Sequence, residues 1–264
     1  MRLIQVLTIV LTQLSVGSLL MTSLLPPREI RLSFFTLNSL IGALGAALAL
    51  VLTKFGGGST WWDVRFLGLT VIGATVAFGL FRLDKADIGR LFLILSGLLG
   101  LAFGLLPLSK PFLATRGLHT TAPIFFDATL VAGAALLGAT NVGMILGHWY
   151  LIMRRLSFEY LELFAKILLG AVIFRAVVLM ATIIALKTFD PKLSAAFISP
   201  LLSMNANAFF FLLRVMFGIV VPLVLAYMIL RCVKERANQA ATGLLYVCQI
   251  SVLFGELFAA LLLI

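Results

Sequence analysis

"PIFFDATLVAGAALLGATNVGMILGHWYLIMRR", residues 123–155, stays apolar over most of its length and ends in two arginines. A bilayer core about 30 Å thick is crossed by a helix of roughly 20 apolar residues, so residues 123–152 are long enough to span it. Aromatic side chains followed by arginines are typical of a helix end at a membrane–water interface. The stretch predicts a transmembrane helix with several polar residues that the membrane alone does not explain.

The composition of the whole chain is that of an integral membrane protein. Of its 264 residues, 62% are hydrophobic and only 11% are charged, and the mean hydropathy is +1.17. A soluble domain carries far more polar surface than this. The net charge of +10 is therefore expected to reflect basic loops beside anionic lipid headgroups, and we expect no nucleic acid partner.

Proline, glycine and charged residues divide the chain into eight apolar runs of membrane-spanning length. The first run is too long and too polar for a typical signal peptide, so we interpret it as a retained span. We expect an all-α, polytopic transmembrane helical bundle that forms a single integral membrane domain over residues 1–264, with no convincing internal repeat. The runs lie near residues 3–25, 33–53, 65–82, 90–108, 123–152, 158–186, 207–230 and 239–263.

The distribution of basic residues predicts the orientation of the bundle. Because eight is an even number, both termini lie on one side of the membrane. The connections on the opposite side carry ten basic residues, against seven in the longer segments of the terminal side. By the positive-inside rule the termini are expected to face outward, into the periplasm if the membrane is a bacterial inner (cytoplasmic) membrane.

Charged residues within the predicted spans are hypotheses for a functional site, because each costs at least a few kcal/mol in lipid. At about 1.5 Å per residue, four of them lie roughly 6–16 Å from the terminal-side ends of their helices. They come from four consecutive helices and balance to zero, which predicts an intramembrane ion-pair network centred on Arg214 and Glu256. The four are Asp127, Arg175, Arg214 and Glu256, and Gln249, seven residues before Glu256, shares its helix face.

Two interpretations of this polar cluster stay open at the level of sequence. One is a structural clamp that specifies the fold. The other is a proton path or a polar site for a ligand. Pro222 breaks the seventh helix near mid-membrane and frees backbone groups that need a partner, a feature that would suit a transporter or the quinone-facing side of an electron-transfer anchor.

A second polar set lies near the other end of the fifth helix. A quinone needs hydrogen-bond donors for its carbonyls and an apolar or aromatic slot for its ring. Suitable residue types are Asn141, His148, Trp149 and Tyr150. The alternative is an ordinary interfacial anchor, formed by Trp149 and Tyr150 with the two arginines that follow.

Metal and haem sites within the chain are not expected. The two cysteines, Cys232 and Cys248, form no CxxC or CxxCH motif, which argues against an iron–sulfur cluster or a covalent haem. His119 and His148 are about 40 Å apart along loop and helix, so they cannot share one haem iron. Two distant histidines and two separate cysteines also do not form a set of zinc ligands. No hydrolase, nucleotide-binding or metalloprotease motif is present either.

Eight helices in 264 residues, an arginine-rich inner face and the carboxylate of "GEL" at Glu256 resemble the membrane-anchor subunits of respiratory oxidoreductases. That group includes the dimethyl sulfoxide and polysulfide reductase anchors. The resemblance covers the whole chain as topology and includes no residue-level motif. It implies a subunit that binds quinol and holds peripheral redox partners.

The sequence therefore predicts a membrane subunit of a respiratory or electron-transfer complex, which anchors partner subunits and contacts quinone without catalysing a reaction alone. A first alternative is a small secondary transporter or exporter that uses the Arg/Glu/Asp cluster and the Pro222 break, which internal pseudo-symmetry would favour. A second alternative is a purely structural subunit of a supercomplex that contacts lipids.

Overall fold

Eight helices of transmembrane length form the part of the chain that the structure describes. The computed structural model describes residues 2–55, 61–109, 122–153, 157–189 and 206–263. Its eight long apolar helices confirm the predicted polytopic helical bundle. They are α1 Arg2–Ser23, α2 Leu32–Phe55, α3 Trp61–Arg82, α4 Ala86–Leu99 with its continuation Gly100–Leu105 and Leu106–Ser109, α5 Ala122–Ile152, α6 Glu159–Phe189, α7 Ala206–Val215 with Met216–Val220 and Val221–Lys234, and α8 Asn238–Leu263.

The helices are arranged as two halves with the same packing order. In the first half α1 packs against α2 and α4, and α3 completes the ring between them. In the second half α5 packs against α6 and α8, and α7 completes the ring in the same way. Since α1 and α5 also run in the same direction, the halves form a parallel structural repeat. This repeat was not expected from the sequence.

The turns that close the two halves share one backbone conformation. The α3–α4 turn contains Asp84 with φ 56°, and the α7–α8 turn contains Arg236 with φ 57°. After each of them, the next N–H donates to the carbonyl five residues earlier, at 2.9 Å in both turns. This is the helix-ending bond of a Schellman motif. A positive φ is uncommon outside glycine, so its occurrence at equivalent points supports the structural repeat.

The two halves meet along α1 and α5. These are the most buried spans, with 61% and 83% of their apolar windows enclosed by the protein. At their crossing Gly17 faces Gly138, and a Cβ atom on either residue would overlap the backbone of the other helix. Close backbone approach at small residues is a common means of helix association in lipid. The Gly17–Gly138 crossing therefore sets the distance between the halves.

The break in α7 is compensated by α8. Around residues Met216–Val220 the helix widens to a π-helical turn, in which the N–H of Val221 donates to the carbonyl of Met216. The next bond of that pattern would run from Pro222 to Phe217, but proline has no N–H. The hydroxyl of Ser251 donates to the Phe217 carbonyl instead, at 2.9 Å. The partner that was predicted for the freed backbone is therefore present.

A methyl group at the α1–α5 crossing should destabilise the bundle. We expect Gly138→Ala to lower the free energy of unfolding by about 1–3 kcal/mol, because overpacking forces the two backbones apart. Gly170→Ala in α6 is the matched control, since a Cβ there meets nothing within 4 Å. The measurement is unfolding of both variants in mixed SDS micelles. Equal stability of the two variants would contradict the close crossing.

Candidate functional site

A buried ion pair joins α6 to α8. Nη2 of Arg175 lies 2.8 Å from Oε1 and 2.9 Å from Oε2 of Glu256. The two side chains are only 4% and 1% exposed. Taking two such charges out of water costs several kcal/mol per ion, which is recovered only with good geometry and additional hydrogen bonds. The surroundings of Arg175 and Glu256 should therefore supply further polar partners.

Those partners come from both halves of the protein. Within the second half, Nη1 of Arg175 donates to the carbonyl of Thr129 on α5. From the first half, Nε2 of Gln13 on α1 donates to Oε2 of Glu256 at 3.3 Å and to the carbonyl of Leu130 at 3.2 Å. Glu256 is thus held by a cation of one half and an amide of the other. The ion pair is part of the contact between the halves.

A glycine on α5 makes this arrangement sterically feasible. A Cβ atom on Gly133 would overlap both Nε2 of Gln13 and Oε2 of Glu256. On the terminal side of the pair, Ile9, Ala259 and Ala260 line a narrow crevice that leaves no room for a water molecule. The buried Oε1 of Gln13 has no hydrogen-bond partner within the described part of the chain. The site is closed and still holds an unused acceptor.

Arg214 adds a second positive charge beside the pair. It is half-buried on α7 and interacts electrostatically with both Arg175 and Glu256. The predicted network centred on Arg214 and Glu256, but the structure pairs Glu256 with Arg175. The physical reason is the position of α7, which lies at the edge of the bundle with only 11% of its span buried. Arg214 therefore approaches the ion pair from the side.

The other two members of the predicted polar cluster lie on α5 and on α8. Asp127 is half-buried on α5, two residues before Thr129. Gln249 is half-buried, and its Oε1 finds no hydrogen-bond partner among the residues described. It lies about 10 Å along α8 from Glu256.

Two residues of the predicted quinone set have partners inside the protein. Nδ2 of Asn141 donates to the hydroxyl of Ser18 on α1 at 3.0 Å, and Asn141 is only 6% exposed. The hydroxyl of Tyr150 donates to the carbonyl of Ser157, just beyond the end of α5. Asn141 therefore ties the halves together near mid-membrane, and Tyr150 joins the end of α5 to Ser157, two residues before α6.

The other two residues of that set lie at the end of α5. The side chain of His148 is exposed, whereas Trp149 is half-buried. The Trp149 ring packs edge-on against Phe34 of α2, with 5.9 Å between ring centroids. Arg154 and Arg155, the rest of the predicted anchor, lie outside the described residues, as does His119. The structure thus separates the buried Asn141 from the exposed His148, although both are on one helix.

The opposite side of the membrane carries a further contact between the halves. The hydroxyl of Tyr160 on α6 donates to Oε2 of Glu29 in the α1–α2 loop. That loop is also held to α4, because Nη2 of Arg28 lies 2.6 Å from Oδ2 of Asp87. The hydrogen bond and charge of Asp87 raise the pKa of Arg28 above its ordinary value. The halves are therefore tied on both sides of the Gly17–Gly138 crossing.

The remaining chemistry of the described residues is limited. Within the described ranges, no three His, Cys, Asp or Glu side chains lie together in a way that could hold a metal ion. Comparison of the sequence with protein-family models and with curated proteins finds no match. The ion pair between the halves is therefore the most distinctive chemical feature of the described residues.

Removing one member of the buried pair should be worse than removing both. We expect Arg175→Leu or Glu256→Leu alone to cost about 3–5 kcal/mol of stability, because each leaves an unpaired buried charge. The double variant should lose much less than the sum of the two single losses. Unfolding in mixed SDS micelles gives the three values.

The exposed pair on α6 provides the control for this cycle. Nζ of Lys166 lies 2.8 Å from Oε1 of Glu162, and the side chains are 59% and 36% exposed. The same cycle there should give less than about 1 kcal/mol for each change. Additive losses at Arg175 and Glu256 would contradict a direct, buried interaction.

Proposed function

We propose that this integral membrane protein is a secondary transporter in which the Arg175–Glu256 pair couples transport to proton movement. One observation carries the proposal: Glu256 is held jointly by Arg175 of the second half and Gln13 of the first half. Transporters built from structural repeats place their substrate and ion sites at the repeat interface within the membrane. The ion pair occupies such a position.

Protonation of Glu256 gives the coupling a physical basis. A neutral carboxyl group no longer attracts Arg175 and is a weaker acceptor for Gln13. The contact between the halves is then more stable when Glu256 is ionised than when it is protonated. A ligand, here the proton, can shift a conformational equilibrium only if it interacts differently with the two conformations. The crevice beside Ala259 and Ala260 leads from the pair toward the terminal side, the direction from which the proton and substrate would enter.

The irregular part of α7 supports movement at this site. Pro222 and the π-helical turn before it interrupt the regular backbone, and such turns occur often at functional positions. Arg214 lies two turns from Pro222 on the same helix. Because α7 is the least buried span, it can bend without disrupting the α1–α5 contact. A bend there changes the distance between Arg214 and Glu256.

We further propose a bacterial inner membrane as the location, with both termini toward the periplasm. The excess of basic residues on the opposite side supports this orientation. The residues of the closed crevice on the terminal side of the ion pair, Ile9, Ala259 and Ala260, then lie toward the periplasm. In this arrangement the protein takes up its substrate along a proton gradient that is directed inward.

Transport by the purified chain is the direct test. We expect proteoliposomes to show substrate-dependent proton entry, measured with a trapped pH-sensitive dye, without any partner protein. Glu256→Gln should reduce this entry to the level of protein-free liposomes, because the amide cannot take up a proton. Glu162→Gln also removes one negative charge, but from an exposed carboxylate, and this variant should retain proton entry. Equal activity of the two variants would contradict the proposed role of Glu256.

A second candidate function is a quinone-contacting subunit of a respiratory complex with peripheral redox partners. The observation that favours it is the exposed His148 beside the half-buried Trp149 at the end of α5. This is a donor and an aromatic surface at the depth of quinone headgroups. Asn141 and Tyr150 already donate hydrogen bonds within the protein, so they would support the wall of such a site and would not bind the quinone directly.

The two candidates differ in what accompanies the protein and in what His148 does. If the chain serves a respiratory complex, redox proteins should co-purify with it in mild detergent. His148→Leu should then raise the apparent KM for quinol several-fold, because a hydrogen bond to the headgroup is lost. Unchanged quinol kinetics in an assembled complex would contradict the quinone site. Lower assembly with normal turnover would instead support a structural subunit.

A further inference from the structure

The hydrogen-bond donors and acceptors around the ion pair do not match. In the part of the chain that the structure describes, five buried side-chain atoms have no hydrogen-bond partner, and all five are oxygens. Two of them, Oε1 of Gln13 and Oε1 of Glu256, belong to residues that line the crevice beside the pair. Oε1 of Glu256 lies 2.8 Å from Nη2 of Arg175 and is compensated by its charge. Oε1 of Gln13 has no such contact among the described residues.

The donor end of the Gln13 amide determines which way the amide faces. Nε2 lies 3.2 Å from the carbonyl oxygen of Leu130 and 3.3 Å from Oε2 of Glu256. A carbonyl and an ionised carboxylate only accept hydrogen bonds, so a flipped amide would place oxygen against oxygen at both contacts. The NH2 group therefore faces Leu130 and Glu256, and Oε1 is the end that is left for another molecule.

Water does not satisfy Oε1 of Gln13 in the closed structure. Gln13 is only 2% exposed, and a buried polar atom without a partner calls for an explanation such as an ordered water or a ligand. The crevice leaves no room for a water molecule, and its terminal-side walls are the apolar side chains of Ile9, Ala259 and Ala260. Oε1 therefore gains a partner only when the crevice widens.

We propose that Gln13 binds the transported substrate through Oε1, and that this substrate is a small neutral molecule with an O–H or N–H donor, such as a short alcohol or a primary amide. This inference rests on the proposed transport function. The donor of the substrate binds Oε1 in the widened crevice. The apolar end of the substrate packs against Ile9, Ala259 and Ala260. No covalent bond forms or breaks in this step.

The groups already engaged at the site determine this chemistry. Arg175 donates to the Thr129 carbonyl and to Glu256. Gln13 donates to Glu256 and to the Leu130 carbonyl. A molecule with acceptors alone would leave Oε1 of Gln13 unpaired, which a site built around a hydrogen bond discriminates against strongly. An ammonium group would donate, but it would bring a positive charge into a crevice lined by Arg175, which repels it.

The position of the crevice connects this substrate to the two halves. Gln13 and Ile9 lie on α1 of the first half, and Ala259 and Ala260 lie on α8 of the second half. A substrate held among them contacts both halves at once. Substrate sites at the interface between structural repeats are common in transporters. Binding at Gln13 therefore responds to the separation of the halves on the terminal side.

Binding can be measured on the purified full chain without transport. The probe is trifluoroacetamide, a neutral primary amide, and its matched control is N,N-dimethyltrifluoroacetamide, which has the same acyl group and no N–H donor. The readout is fluorine NMR line broadening in detergent micelles, compared with empty micelles. We expect the wild type to broaden the primary amide signal, and excess acetamide to reverse the effect. The dimethyl amide should bind at least about tenfold more weakly.

Three variants test whether Gln13 is the residue that binds. Gln13→Met removes both the donor and the acceptor, and binding of the primary amide should be lost. Gln13→Lys keeps donors toward Glu256 and Leu130 but has no acceptor, so binding should be lost here as well. Gln249→Met is the matched control, because Oε1 of Gln249 is also unpaired but lies outside the crevice. It should bind as the wild type does, and the Tm of each variant shows whether it folds.

Four results of the binding experiment would overturn the inference. The first is equal binding of the primary and the dimethyl amide. The second is wild-type binding in both Gln13→Met and Gln13→Lys. The third is an equal loss of binding in Gln249→Met. The fourth is displacement of the probe by guanidinium, a permanently charged donor, but not by acetamide, which would indicate a site for cations.

Proteoliposomes separate this inference from the proposed function. In a stopped-flow experiment, an inward gradient of the primary amide should drive proton entry before the amide crosses the lipid by itself, whereas the dimethyl amide should not. Proton entry driven only by the dimethyl amide or by guanidinium would contradict the neutral donor and leave transport intact. Binding of the primary amide without proton flux under any gradient would overturn transport and leave the Gln13 site standing.

Discussion

The need to satisfy the Arg175–Glu256 pair away from water constrains the centre of the molecule. Both charges are almost fully buried, so every group around them has to donate, accept or make room. Gln13 donates, the Thr129 carbonyl accepts, and Gly133 leaves the space in which the donor and carboxylate meet. Because these groups belong to α1, α5, α6 and α8, the ion pair determines how four helices from two halves fit together.

The same interface also contains a contact that does not involve the ion pair. At the Gly17–Gly138 crossing the backbones touch directly, and this contact does not depend on protonation. The polar ties lie on either side of it, at Glu256 on one side and at Tyr160 with Glu29 on the other. Such an arrangement resembles a pivot between two polar contacts. In the proposed transport mechanism, loss of one contact lets the halves tilt about the crossing while the other contact holds.

Hydropathy predicted the eight helices, because lipid imposes a length on each span. Pro222 predicted that freed backbone groups would need a partner, because lipid leaves none of them to water, but the partner itself, Ser251, came from the structure. The depth of each residue along its helix predicted that Arg175 and Glu256 belong to one cluster. Depth does not say toward which neighbouring helix a side chain points, so the sequence analysis placed Arg214 at the centre of the cluster in error. The importance of Gln13 was missed, since an amide in the first helix carries no charge signal. The only sequence signal for Gln13 was that it lies at about the same depth in the membrane as Gly133 of α5. The structural repeat was also missed, because apolar side chains are interchangeable in lipid and preserve little sequence similarity.

The proposed mechanism requires Glu256 to change its protonation state while it is buried between the two halves. Infrared difference spectroscopy of the full chain in lipid, between acidic and alkaline pH, tests this most directly. The account predicts a protonated-carboxyl band that appears on acidification of the wild type and is missing in Glu256→Gln. A carboxyl band that is the same in both proteins, or a Glu256 that stays ionised until the protein unfolds, would show that the pair is a structural clamp.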